Sequence, residues 1–192
     1  MKSMVEFAHT LLTGVLTPGD IAVDCTMGNG NDTLFLARIV GAGGHVFAFD
    51  IQGAAIEKTG EHLARSGLAA GGVTLIQAGH QSLNQHIPAQ MLIRCKAAIF
   101  NLGYLPGADK RVCTTPETTI PAIEALLAGI SPGGLIVIVV YPGHPEGARE
   151  SDELLRFCAD IRPEVADVVT YQVINNRNRP PYLIAIEKNS RA

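Results

Sequence analysis

Short apolar runs alternate with helical stretches along most of the chain, and this alternation constrains the fold more than any other feature. Ile21 to Cys25 reads as a buried strand after the turn Pro18-Gly19-Asp20, and Asp32 to Val40 as a helix ended by Gly41, Gly43 and Gly44. The pairing recurs in strand His45 to Ile51 with helix Ala54 to Ser66, and in strand Val73 to Ala78 with a short helix near Ser82 to His86. It recurs again in strand Lys96 to Leu102 with helix Ile120 to Leu127, and in strand Leu135 to Tyr141 with helix Gly147 to Ile161. Successive β-α units predict a parallel sheet covered by helices on both faces, and near-continuous apolar strands such as LIVIVV suit burial on both sides. Two further strands, Asp167 to Ile174 and Tyr182 to Glu187, are joined by Asn175 to Pro181 with no helix between them. So short a link predicts an antiparallel hairpin at the edge of a seven-stranded, mostly parallel sheet. With no repeat, linker or low-complexity segment, the 192 residues are expected to form one domain, 1–192.

Composition narrows the setting. Apolar residues make up 47% of the chain, which favours a packed core over disorder. The most apolar run, Leu135 to Tyr141, is too short to span a bilayer, and Met1 to Thr10 carries Glu6 and His9, unlike a signal peptide. A soluble, cytoplasmic protein with no membrane partner is expected. The four cysteines form no C-x-x-C pair and read as reduced structural thiols. The six histidines show no zinc-ligand spacing, so no metal site is expected. A net charge of -3 without a long basic run argues against a protein that coats nucleic acid. It leaves room for an enzyme that touches one RNA through a local patch, for which Arg177, Arg179, Lys188 and Arg191, with Lys110 and Arg111, are the candidates.

The first strand runs into Asp24-Cys25-Thr26-Met27-Gly28-Asn29-Gly30-Asn31-Asp32-Thr33. Gly28 and Gly30 permit a sharp turn and close approach of a ligand to the backbone, a property shared by NAD, FAD and other nucleotide loops. Thr33 stands where a dinucleotide fingerprint has its third glycine, which disfavours a pyrophosphate. Asp24 before the glycines suits a cationic ligand end and repels phosphate, with a turn or cap residue as the plainer reading. Asn29, Asn31 and Asp32 are polar where the loop opens, with Asp32 suited to cap the helix. Asp50 ends the second strand, where a carboxylate accepts hydrogen bonds from both ribose hydroxyls, and Gln52 lies beside it. Gly79-His80-Gln81 follows the third strand at the same sheet edge, where ligands of open α/β sheets bind. A doubly wound, Rossmann-like sheet with a terminal hairpin is the layout of class I methyltransferases, and these residues fit S-adenosylmethionine better than NAD.

The fourth strand ends in Asn101-Leu102-Gly103-Tyr104, similar to the Asn-Pro-Pro-Tyr signature of methyltransferases acting on amino nitrogens. An attacking amine must aim its lone pair at the methyl, in line with the departing sulfur. The Asn101 side-chain oxygen and a nearby carbonyl can accept the two N–H bonds that fix this aim, and Tyr104 can stack on a base. A Gly/Pro turn capped by Asn101 is the plainer reading of the same residues. His144, in Tyr141-Pro142-Gly143-His144 after the fifth strand, is a candidate for proton removal or substrate contact, although lone loop histidines more often do neither. NNRNRPPY, in the hairpin link, brings arginines that suit phosphate.

VDCTMGNGNDT, FDIQ, GHQ, NLGYLPGADK, YPGH and PPYLIAIEK together resemble one family of small bacterial proteins, the YtqB type labelled rRNA methylases and associated with the MnmM-type activity on tRNA. The resemblance runs from His9 to Glu187 and departs only in details such as Cys25 and Ala108, where Ala and Gly are expected. It implies a class I fold and S-adenosylmethionine held by Asn29, Asn31, Asp50, Gln52, His80 and Gln81. It implies methylation of the 5-aminomethyl group of 2-thiouridine at the wobble position of the tRNA anticodon stem-loop. An alkyl amine of this kind has a reference pKa of about 10.4, which burial and an adjacent sulfonium both lower, so alignment by Asn101 matters more than a strong base. Methylation of rRNA or of a small amine, an NAD-dependent oxidoreductase, and a non-catalytic S-adenosylmethionine-binding module remain the alternatives at this stage. A homodimer would give a lone domain more surface for an anticodon arm.

Overall fold

The computed structural model describes residues 2–68, 72–103, 113–176 and 178–190. It opens with a helix that the strand pattern does not announce, α1 (Met4–Val15). Ser3 caps it in a reciprocal box: Glu6 N–H donates to Ser3 Oγ at 3.2 Å, and Ser3 N–H donates to Glu6 Oε2 at 2.7 Å. Ala8 and Leu12 are fully buried against Val137, Val139 and Leu183 of the sheet.

The alternating units follow in order: β1 (Ile21–Asp24), α2 (Asn31–Val40), β2 (His45–Asp50), α3 (Gly53–Arg65) and β3 (Val73–Gln77). A 3-10 turn at His80–Ser82 leads into the short helices α4 (Leu83–His86) and α5 (Ala89–Leu92). Then come β4 (Cys95–Asn101), α6 (Pro116–Gly129), β5 (Leu135–Val140), α7 (Pro145–Ala159), β6 (Ala166–Tyr171) and β7 (Tyr182–Lys188). Helix α6 starts four positions before the expected Ile120. Thr115 and Pro116 supply the cap and first residue that Pro121, inside the helix, disguises in the sequence.

The seven strands form one sheet in the order β3-β2-β1-β4-β5-β7-β6. β1 to β5 pair in parallel, and β7 runs antiparallel between β5 and β6. The terminal hairpin thus inserts its second strand into the sheet interior and leaves β6 on the edge. Burial agrees: Tyr182 to Ile186 are all buried, whereas β6 exposes Asp167, Val169 and Thr170. One apolar layer packs on each face of the sheet, with Phe49, Phe100 and Ile138 on one side and Val46, Ile99 and Val137 on the other. Strand order reverses at β1, between β2 and β4, so the loops after these strands diverge and leave a crevice at their carboxyl ends. No helix among the described residues is long and apolar enough to cross a membrane.

Candidate active site

A cavity of about 1030 Å³ fills this crevice. Its walls are the loop after β1, Phe49–Gln52, Ala78–Gln81, Asn101–Gly103, Tyr141 with Gly143 and His144, and Asn178–Pro181 ahead of β7. Val5 of α1 closes one side.

The wall beside β1 and β2 is organised by Asp50. Its Oδ2 accepts the Gly28 N–H at 3.0 Å and its Oδ1 accepts the Gln52 N–H at 2.9 Å. Each oxygen keeps a lone pair for a further donor, the geometry a ribose diol needs. Gly28 and Gly30 take positive φ, 50° and 82°, and a Cβ on Gly30 would stand 2.8 Å from the Thr59 side chain. Gly30 itself does not line the cavity; it shapes the turn and begins α2. Asn29, Asn31, Gln52 and Gln81 do line it. His80 Nδ1 lies 2.9 Å from the Cys25 carbonyl, and burial holds the imidazole below its ordinary pKa. A neutral ring that donates from Nδ1 leaves Nε2 as an acceptor, and this atom is buried without a partner among the described residues. Asn29 Oδ1 is in the same condition.

Asp24 departs from the expectation that it meets the cationic end of a ligand. It is fully buried and lines no part of the cavity. Its carboxylate accepts the Thr33 hydroxyl at 2.6 Å and the Thr26 N–H at 3.1 Å, bracing the loop from beneath. Burial first, and then the nearby Asp32 charge, push its pKa up to about 7.

The opposite wall centres on Asn101. Its backbone N–H donates to Thr26 Oγ1 at 2.7 Å, and its Nδ2 donates to Asp32 Oδ2. Asn101 Oδ1 is buried and has no partner among the described residues. Asp32 is no helix cap: its Oδ1 lies 2.6 Å from His9 Nε2, and the His9 ring stacks on Phe35 at 3.7 Å. Below Asn101, Thr114 N–H donates to the Gly103 carbonyl at 3.0 Å and Gly103 N–H donates to Thr114 Oγ1 at 2.9 Å. The Thr114 and Thr119 hydroxyls both donate, at 2.7 Å, to the buried Glu150. His144 lines the cavity, but its Nδ1 accepts the Gly147 N–H at 3.1 Å and caps α7. Tyr104, Lys110, Arg111, Arg177 and Arg191 lie outside the described residues. Arg179 lines the cavity and pairs with Asp152 at 2.8 Å. No group of three or more His, Cys, Asp or Glu among the described residues is arranged to hold a metal.

The family model described as "Putative rRNA methylase" matches residues 46–187. A relative from Arabidopsis thaliana, named tRNA (mnm(5)s(2)U34)-methyltransferase, chloroplastic, is 36% identical over 197 residues, which cover 97% of this chain and 70% of that protein. The chain belongs to the rRNA methylase family. A crystal structure of a "putative rRNA-methylase" from Clostridium thermocellum is 40% identical, covers 98% of both chains and superposes with a TM-score of 0.93. That of a "putative methyltransferase" from Streptococcus mutans in complex with SAH is also 40% identical, with a TM-score of 0.87, covering 98% of this chain and 99% of its own.

Within this methylase, four residues of the site escape a reading of the sequence: His9, Thr26, Thr114 and Glu150. Only His9 leaves a trace, through the Ser3-x-x-Glu6 box that predicts the helix carrying it.

Proposed function

We propose that this methylase transfers a methyl group from S-adenosylmethionine to the 5-aminomethyl group of 2-thiouridine at the wobble position of tRNA. The observation that carries the reading is Asn101 Oδ1, a buried acceptor with no partner among the described residues, held at the cavity wall by Thr26 and Asp32. A neutral amine is a donor through N–H and a nucleophile through its lone pair. An acceptor that takes the N–H leaves the lone pair free to point elsewhere.

The residues present fit S-adenosylmethionine. Asp50 has lone pairs for a ribose diol, and His80 Nε2 and Asn29 Oδ1 are acceptors awaiting donors. Gly28, Gln52, Asn31 and Gln81 complete that wall. The cofactor supplies an electrophilic methyl on a positively charged sulfur. The chain's own residues orient the amine at Asn101 and exclude water with Val5 and the Asn178–Pro181 segment; stacking on the base is assigned to Tyr104 from the sequence alone. Relatives support the reading: the Streptococcus mutans protein holds SAH, the demethylated form of this cofactor, and the Arabidopsis protein is named for the wobble uridine. We assign the chain to the cytoplasm as one domain, working alone or as a homodimer on the anticodon stem-loop.

The test is transfer of isotopically labelled methyl from S-adenosylmethionine to tRNA bearing 5-aminomethyl-2-thiouridine and, in parallel, to rRNA, read by nucleoside mass spectrometry. Label in 5-methylaminomethyl-2-thiouridine supports the reading. Label only in rRNA, the substrate in the family's description, overturns the tRNA assignment and keeps the methyltransferase.

A further inference from the structure

A carboxamide has two ends of the same shape and opposite character, one an acceptor and one a donor of two hydrogens. For Asn101 the choice decides function. With Oδ1 toward the cavity it receives an amine N–H. Turned over, it would donate an N–H to the amine's lone pair and tie up the electrons that must attack the methyl. Its backbone bond to Thr26 fixes where the residue sits and leaves the amide free to turn.

We propose that a hydrogen-bonded chain, His9–Asp32–Asn101, sets this choice, with Asp32 and His9 as positioning residues. The inference rests on the amine-methylation reading above. An ionised carboxylate only accepts, so Asp32 Oδ2 holds the Nδ2 end of Asn101 and directs Oδ1 into the cavity. Asp32 needs its own anchor, because a carboxylate on the first turn of α2 has other rotamers. His9 supplies it from outside the βα repeat: its Nε2 lies 2.6 Å from Asp32 Oδ1. The His9 ring lies flat on Phe35, with ring planes 5° apart, so α1 is registered against the helix that carries Asp32. Asp32 is thereby assigned to the acceptor wall, where it acts through Asn101.

The experiment compares wild type with Asp32→Asn, His9→Ala and His9→Gln. Gln keeps an N–H at a reach similar to that of Nε2. Three quantities are read: single-turnover methyl transfer to tRNA carrying the wobble amine, S-adenosylmethionine Kd, and the Asn101 side-chain amide resonances in ¹⁵N-labelled protein, assigned by their loss in Asn101→Ala. Thermal unfolding is followed for each variant. In Asp32→Asn the Asn101 resonances shift, and the transfer rate falls about 100-fold, as for a misaligned reactant. Kd stays within about threefold, under 1 kcal/mol. His9→Ala falls about tenfold, and His9→Gln recovers most of that loss.

Equal losses in His9→Ala and His9→Gln that follow their Tm values reduce His9 to packing and overturn the proposal. A loss of cofactor affinity in Asp32→Asn as large as its loss of rate returns Asp32 to the cofactor wall and overturns it too. If wild type fails to methylate the amine while the Asn101 resonances still respond to both substitutions, the substrate reading falls and the chain stands. Resonances indifferent to Asp32 and His9 refute the chain whatever the substrate.

Discussion

Glu150 of α7 accepts the Thr114 hydroxyl at 2.7 Å, and Thr114 closes a two-way hydrogen-bonded pair with Gly103, where the chain leaves β4. Thr119 donates to the other oxygen of the same carboxylate, also at 2.7 Å. One buried glutamate therefore ties α7, the start of α6 and the exit from β4 together. Burial raises its pKa, and the two threonine hydroxyls oppose that rise.

Glu150→Ala removes the shared acceptor and leaves both threonine hydroxyls to find new partners. The expected cost is about 3 kcal/mol of stability, from two hydrogen bonds to a charged group. Asp50 and the glycine loop lie on the other wall, so S-adenosylmethionine affinity is expected to hold while turnover on RNA falls. Urea unfolding and cofactor titration check the two halves separately.

Asp24 gives a pH signature. Its pKa is pushed up to about 7 by burial and by Asp32, against an ordinary value of 3.8. Between these two values the folded protein holds a proton that the unfolded chain has released, so this residue makes stability fall as pH rises through the window, by up to about 1.4 kcal/mol per pH unit. Below the window the contribution is flat, and above about pH 7 the loss is complete. Asp24→Asn mimics the protonated form, with an oxygen for the Thr26 N–H and an NH₂ for Thr33 Oγ1. Its stability relative to wild type is expected to rise from pH 5 to pH 7 and then level off. Since Asp24 does not line the cavity, cofactor affinity in this variant is expected to change by no more than a few fold.

Asp50→Ala is expected to act on the cofactor first. Two ribose hydroxyls lose a charged acceptor, and the Gly28 and Gln52 N–H groups lose theirs. At about 1.5–3 kcal/mol for a hydrogen bond to a charged group, Kd for S-adenosylmethionine should rise at least about tenfold. At saturating cofactor, kcat should recover to within a few fold. Calorimetry and steady-state kinetics separate the two quantities.

The parts of this molecule legible in the sequence are those set by local pattern. Apolar runs and glycine stops mark β1 to β5, and the missing helix before Tyr182 marks the antiparallel end. That Asp50 and His80 line one crevice is legible because strand ends in such a sheet converge on one edge. The parts that are not legible depend on which way a side chain turns or on contacts across the fold. Asp24 and Asp32 flank the same loop, yet one turns beneath it and the other into the cavity. Glu150 sits in the charged stretch Arg149-Glu150-Ser151-Asp152-Glu153, where only α6–α7 packing singles it out as buried. His9 meets Asp32 across 23 positions, through a helix that lies outside the repeating units.

Asn101 separates the two walls most sharply. Asn101→Ala removes the unpartnered acceptor and leaves Asp50, Gln52 and His80 untouched, so turnover is expected to fall at least about 100-fold with cofactor Kd within about threefold. Asn101→Asp is the harder test. It keeps an oxygen facing the cavity but places a second carboxyl group against Asp32, where two negative charges in contact cannot both persist. One of the pair must take up a proton, so activity in this variant is expected to rise as pH falls toward the range where the shared proton binds, opposite in sense to any loss caused by protonating the substrate amine. A pH–rate profile of the variant, set beside that of wild type, reads this out directly. A profile that merely parallels wild type at lower amplitude would show that Asp32 and residue 101 do not share a site in solution.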